Sequence, residues 1–329
     1  MGSREVRRLP VDAPAEHRRE LTQMSGDRPI RPVHGIAAGC RYVALPPTAV
    51  DAVASGPTRL MVIWPGFDPP RTAEALAASV PLTGVPVWRV YLDLPAQLPG
   101  GLGSAAILDD SGIELYGAAV EQAAGRLPEV VDELGREFAV PDGPVALAGF
   151  STGGAAALLA VARGDVPVGA AAAVAPVVAP GRAARAVEKR AGRDRSWTDA
   201  SVALADRLDL GALAGDIAAR DAELLLVGGA KDRVVPSGEL NALRDALQRH
   251  GAAAETVSFR MGHALAAEPG TEARPPITEA VRVDGVLSEW FRDRLAATSD
   301  ADAPDVADAG SGDARGDAVE RHKAASGLS

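Results

Sequence analysis

The chain of 329 residues has a single cysteine, Cys40, so no intrachain disulfide can form. Aromatic residues make up only 4%, which leaves Ala, Val and Leu to fill any core. Basic charge is in deficit. Thirty-four Lys and Arg stand against 44 Asp and Glu, for a net charge of −10. Nucleic acid is therefore not an expected partner, because phosphate neutralisation needs a basic face. No run of about 18 apolar residues occurs, so no membrane span is expected. Met1–Pro32 is Arg-rich and lacks the apolar stretch of a secretory signal, which makes a cytoplasmic location the expectation. There is no His-x-Glu-x-x-His pattern and no cysteine pair, so no metal and no cofactor are expected.

What is present is 47% apolar residues, enough for a sizeable core. Residues 1–32 are polar with scattered Arg and Pro, and residues 298–329 are rich in Ala, Asp, Gly and Ser. Both read as disordered tails, the second of them acidic. Residues 33–297 read as one domain of alternating strands and helices. Strands are expected at Arg41–Leu45 (an edge), Arg59–Trp64, Val85–Leu94, Pro144–Phe150, Ala170–Val178, Glu223–Gly228 and Glu255–Phe259. Helices are expected at Arg71–Ser79, Ile113–Phe138 with a kink before Pro128, Gly153–Arg163, Ser237–His250 and Ile277–Leu295. This alternation implies an α/β fold, with a mostly parallel central sheet and helices on both faces. Reactive groups then belong at the carboxyl ends of the strands.

Residues 181–222 interrupt that rhythm. They open on a basic run, Arg182, Arg185, Lys189, Arg190, Arg193 and Arg195, and continue into two short helical patterns near Trp197–Leu208 and Leu210–Ala219. Two readings stand: a small helical cap over the site, or a surface helix pair with a solvated basic face. Gly100-Gly101-Leu102-Gly103 reads as a loop leaving the Val85–Leu94 strand, not as a phosphate cradle.

The segment Val145-Ala146-Leu147-Ala148-Gly149-Phe150-Ser151-Thr152-Gly153-Gly154 carries the chemistry. An apolar strand runs into Gly-x-Ser-x-Gly and then into an Ala-rich helical stretch, the context of a nucleophile elbow. A serine on so tight a turn projects its hydroxyl from the sheet, and the new helix aims its first N–H groups over it. A serine hydroxyl needs a base to take its proton, usually a histidine oriented by a carboxylate. The expected chain order is Ser, acid, His.

Five histidines are available: His17, His34, His250, His263 and His322. His17 and His322 fall in the tails, His34 precedes the first expected strand, and His250 ends a helix. Only His263 follows a late strand, in a loop marked by Gly262. The acid should follow a strand lying between Ser151 and His263. Leu224–Gly229 is that strand and Asp232 is in its loop, while Asp221 stands before the strand as a fallback. An oxyanion needs two N–H donors. Thr152, after the nucleophile, is one. Phe67, after the strand that ends Trp64-Pro65-Gly66, is the other.

With Gly149-Phe150-Ser151-Thr152-Gly153-Gly154, Trp64-Pro65-Gly66-Phe67, the Asp232 loop with Val234-Val235-Pro236, and Met261-Gly262-His263, the chain resembles the α/β-hydrolase superfamily over residues 39–296. Among its branches it is most similar to dienelactone-hydrolase and cutinase-like esterases and to the catalytic domain of prolyl-oligopeptidase-type peptidases. It departs from many members in having Trp64-Pro65 in place of a His-Gly pair. The resemblance implies the α/β-hydrolase fold and a serine hydrolase that cleaves a small-molecule carboxylic ester through an acyl-enzyme. A thioesterase or peptidase using the same triad is the alternative within that class. From another class, a non-catalytic binding protein on the same fold is the rival, because fold does not imply function.

Overall fold

The computed structural model describes residues 31–48, 59–95, 112–190, 192 and 197–301. The tail expectations for residues 1–30 and 302–329, and the Gly100–Gly103 loop, lie outside them.

Eight strands form one sheet: β1 (Val33–Ala37), β2 (Cys40–Leu45), β3 (Leu60–Trp64), β4 (Trp88–Leu92), β5 (Val145–Phe150), β6 (Val168–Val174), β7 (Glu223–Gly229) and β8 (Ala254–Phe259). Their spatial order is β1-β2-β4-β3-β5-β6-β7-β8. β1 and β2 pair antiparallel, as do β2 and β4, and every other neighbouring pair is parallel. The helices are α1 (Ala73–Ser79), α2 (Gly112–Glu137), α3 (Thr152–Arg163), α4 (Pro180–Arg190), α5 (Asp199–Arg207), α6 (Ala214–Ala218), α7 (Ser237–Arg249) and α8 (Thr278–Ala301). Among the described residues, no helix is long and apolar enough to cross a membrane.

β3 and β5 are buried throughout, and β7 is buried except for Glu223. This is the mark of parallel strands covered on both faces. Alternate residues feed opposite cores, as the two-residue period of a strand demands. Leu60, Val62, Trp64, Leu147, Ala171 and Leu226 pack with α2 and α3. Met61, Ile63, Ala148, Phe150, Ala172 and Val227 pack with Leu76 of α1 and with Val283, Leu287 and Phe291 of α8. α3 is buried along nearly its whole length. Its Ala-rich composition allows that, because small side chains let the sheet and α2 come close.

Several boundaries differ from the sequence expectation, each for a local reason. β1 was not expected. The hairpin Ala38-Gly39 has φ of 47° and 75°, a two-residue turn that folds Val33–Ala37 back along β2. His34 therefore lies within a strand, and β2 is an inner strand with β1 at the edge. β4 begins only at Trp88, because a turn at Thr83-Gly84 and Pro86 occupies the start of the expected run. β6 stops at Val174, because Ala175 takes φ 46° and Pro176 has no N–H to continue the ladder. α1 begins at Ala73 because the Thr72 hydroxyl accepts from Ala75 N–H at 3.1 Å. Pro128 lies inside α2.

Residues 181–222 supply α5, α6 and all of α4 but its first residue. Leu204 of α5 sits on Gly117 of α2, where a Cβ would stand 2.8 Å from Leu204 Cδ2. Ser201 Oγ donates to Glu114 at 2.6 Å. Arg182 pairs with Asp209 and Glu239 at 3.5 Å each, and Arg185 lies over Trp197 at 5.6 Å. Two members of the basic run are thus engaged within the fold. α4 went unrecognised because its charges hide a helix that opens, as helices favour, with Pro180 at its first position.

One buried cation stands apart on the other face. Arg89 of β4 donates to Leu82 O, Pro46 O and Thr48 Oγ1. Burial lowers its pKa and raises that of nearby Asp284, whose Oδ1 accepts from Leu82 N–H at 2.7 Å.

Candidate active site

β5 delivers Ser151 directly onto the first residue of α3. Its backbone sits at φ 52°, ψ −112°, a conformation that L-residues rarely adopt. Ser151 N–H donates to Val174 O at 2.8 Å, which ties the turn to the end of β6. A Cβ on Gly149 would stand 2.1 Å from Gly153 O, and one on Gly153 would stand 2.4 Å from Trp64 O and Pro65 O. Only glycine fits either position. The turn is therefore set by steric necessity between strand, helix and the exit of β3.

The Ser151 side chain makes no cap bond to α3. It turns instead to His263, with Oγ 2.8 Å from Nε2. His263 Nδ1 lies 2.7 Å from Asp232 Oδ2. The Asp232 side chain is fully buried. Its Oδ1 accepts from Val234 N–H at 2.8 Å and Val235 N–H at 2.9 Å. A carboxylate can only accept, so Nδ1 carries the proton. Nε2 is then left with a lone pair facing the serine hydroxyl. The structure thus brings together the three residues expected from sequence, each from the carboxyl end of a different strand: β5, β7 and β8. Asp221 lies before β7, at the other edge of the sheet.

Backbone bonds lock the loops that carry these groups. Lys231 N–H donates to Met261 O at 2.9 Å, joining the acid loop to the histidine loop. Leu265 N–H donates to Pro69 O at 2.9 Å, and Arg71 N–H to Gly270 O at 2.7 Å. These join the histidine loop to the segment after β3. The Phe150 and His263 rings lie 5.4 Å apart, tilted by 38°.

Thr152 opens α3, so its N–H has no acceptor in a preceding turn. Phe67 is buried beside the elbow. Its carbonyl accepts from Arg71 Nε at 2.9 Å, which holds that loop segment from behind. Arg71 also donates to Pro269 O at 2.9 Å and pairs with Glu268 at 3.1 Å. Sequence reasoning missed Arg71. It also missed Asp68, whose Oδ2 lies 3.5 Å from His263 Nε2. The only signal for Asp68 was a polar residue immediately after the expected oxyanion segment.

Among the described residues, no cluster of His, Cys, Asp and Glu could hold a metal ion. A cavity of about 470 Å³ lies between Leu60, Pro128, Val145 and Val166. It opens at the amino ends of β3 and β5, on the edge of the sheet away from Ser151, and has no part in this constellation.

The strand order, the mostly parallel sheet and the serine turn between β5 and α3 define the α/β-hydrolase fold. TT1662 from Thermus thermophilus superposes with a TM-score of 0.56 at 19% identity, covering 80% of this chain and 99% of that one. The Mycobacterium tuberculosis puromycin-hydrolyzing peptidase gives a TM-score of 0.55 at 17% identity, with 80% of this chain and 39% of that one covered. The Pyrococcus horikoshii acylaminoacyl peptidase gives 0.54 at 14%, with 80% and 42% covered. The chain thus spans nearly the whole of the first but less than half of either peptidase. No family model matches the chain, and no curated protein matches it in sequence.

Proposed function

We propose that the protein is a serine hydrolase that cleaves carboxylic esters through an acyl-enzyme. The observation that carries this reading is the continuous hydrogen-bonded line from Ser151 Oγ through His263 to Asp232, at 2.8 Å and 2.7 Å. His263 Nε2 takes the Ser151 proton as Oγ attacks the carbonyl carbon. The new oxyanion receives the Thr152 and Phe67 N–H groups. The proton on Nε2 then passes to the leaving oxygen and the C–O bond breaks. Water repeats the sequence on the acyl-enzyme. Asp232 keeps the proton on Nδ1 and steadies the imidazolium.

Amide cleavage is the second reading, favoured by the two peptidases of like fold, since one triad serves either bond and the pocket selects. Ser151→Ala tests the class. It should lower p-nitrophenyl ester turnover by about three to six decades and abolish labelling by a fluorophosphonate. Full turnover by Ser151→Ala would remove the hydrolase reading. A folded wild-type protein that a fluorophosphonate does not label would favour the binding protein instead. Matched acyl esters and acyl anilides separate the first reading from the second.

A further inference from the structure

The segment after β3 and the loop that carries His263 run side by side. Leu265 N–H and Ala266 N–H both donate to Pro69 O, at 2.9 Å and 3.3 Å. Arg71 N–H donates to Gly270 O at 2.7 Å, and Thr72 Oγ1 donates to Thr271 O at 3.0 Å. The two stretches also meet without polar groups: a Cβ on Gly270 would stand 2.5 Å from Pro69 Cβ. These contacts fall at residues 69–72. Phe67, whose N–H is the proposed second oxyanion donor, lies upstream of them, next to Gly66, a residue type with little backbone preference of its own.

The Arg71 side chain spans that gap. Its Nε donates to Phe67 O at 2.9 Å and its Nη1 to Pro269 O at 2.9 Å. One planar group thus holds a carbonyl of each stretch. The Arg71 side chain is 11% exposed, while that of its other partner, Glu268, is 71% exposed. An ion pair with so exposed a carboxylate contributes little, so the weight falls on the two carbonyls. The consequence for Phe67 is geometric. Its ring is buried and its carbonyl is held, which fixes two of the bonds at its tetrahedral Cα. That leaves one position for the nitrogen. Gly66, wedged against Phe150 and Ser151, sets the direction of its hydrogen.

We propose that Arg71 is a positioning residue: it ties the oxyanion segment to the histidine loop, so that the Phe67 N–H keeps its place relative to Ser151 and His263. The proposal rests on the serine-hydrolase reading given above. Arg71 acts through Phe67 and not on the reacting atoms. Lysine cannot replace it, because a single ammonium lacks the two separated donors of the guanidinium fork. Acylation and deacylation both pass through an oxyanion, so both slow together when one donor is misplaced. The loss then belongs in kcat and leaves KM alone.

The test is the steady-state kinetics of p-nitrophenyl acetate hydrolysis. Arg71→Ala should lower kcat by about tenfold to a hundredfold, less than the outright loss of an oxyanion donor, with KM near its wild-type value. The pH profile of kcat/KM should keep its position, because the triad is untouched. Guanidinium, far below denaturing concentration, should restore part of kcat in Arg71→Ala and do nothing for wild type, and sodium chloride at the same concentration should restore none. Arg71→Lys should lose kcat as the alanine variant does, and Glu268→Ala should keep most of it. Wild-type kcat in Arg71→Ala or in Arg71→Lys overturns the proposal. A loss carried in KM alone does so too, as does a profile displaced along the pH axis, which would put the effect on the general base. A Glu268→Ala loss equal to that of Arg71→Ala would place the effect in the ion pair, and a kcat that guanidinium fails to raise would leave Arg71 a structural role only; either result overturns it. If Arg71→Ala does not fold, kcat and KM of Arg71→Lys decide. A wild-type protein that neither turns over p-nitrophenyl acetate nor is labelled at Ser151 removes the hydrolase reading itself, and this proposal with it.

Discussion

Gly66 and Ser151 meet across the site: a Cβ on Gly66 would stand 2.9 Å from Ser151 Cβ, and as close to Phe150 Cδ1. The segment that presents Phe67 is therefore packed directly on the nucleophile. Gly66→Ala must push that segment away or turn the serine. Misplacement on the scale of an ångström costs about a hundredfold in rate. The expected result is a loss of that order in kcat, with the circular dichroism spectrum unchanged. Wild-type kcat in Gly66→Ala would show that the Phe67 N–H is not needed.

Asp232 has two jobs, and two substitutions separate them. Asp232→Asn keeps an oxygen for the Val234 and Val235 N–H groups but turns an NH2 toward Nδ1. The imidazole must then put its proton on Nε2, where it cannot accept from Ser151. Turnover should fall about 10⁴-fold with little change in melting temperature. Asp232→Ala also strands the part-buried Val234 N–H and the buried Val235 N–H, the buried one costing about 1–3 kcal/mol. Thermal melts should show the alanine variant clearly less stable than the asparagine one.

Asp284 gives a pH-dependent effect on stability. Burial raises its carboxyl above the ordinary 3.8. The folded protein thus holds this proton more tightly than the unfolded chain does. Stability from this group is complete below 3.8 and is lost as pH climbs through the raised folded value. Asp284→Asn keeps an acceptor for Leu82 N–H and carries no charge. The melting temperature of the variant relative to wild type should therefore climb as pH rises from 3 toward neutrality, then level off. A constant difference across paired melts would contradict this.

Cys40 should be inert in the native protein. It is buried, and burial pushes its thiol up despite the nearby Arg126. The thiolate is the reactive form. A disulfide reagent such as DTNB should titrate no thiol in the native state and one per chain in guanidinium. Rapid native titration would count against the placement of the β1–β2 hairpin on α2.

The legible parts of this molecule are those where one local pattern answers to one physical cause. β3, β5 and β7 stand out as apolar runs because both faces of the inner sheet are covered. Ser151, Asp232 and His263 could be chosen because parallel strands gather their carboxyl ends on one edge. A loop residue after the right strand is therefore near the other loops whatever its distance in sequence. β1 was illegible because its alternation is weak and its turn uses Ala38, a residue with no particular preference for left-handed backbone. The end of β6 is hard to read because Ala175 is another alanine in left-handed backbone. Asp68 was missed because its significance lies in a distance to His263, across 195 positions of chain, and nothing local announces it.

The backbone of Ser151 is where folding and chemistry make opposing demands. A serine held at φ 52° is less comfortable there than glycine would be, so Ser151→Gly should melt higher than wild type while doing no chemistry. A screen for thermal stability alone would drift toward silencing this protein at the very residue on which its proposed activity turns.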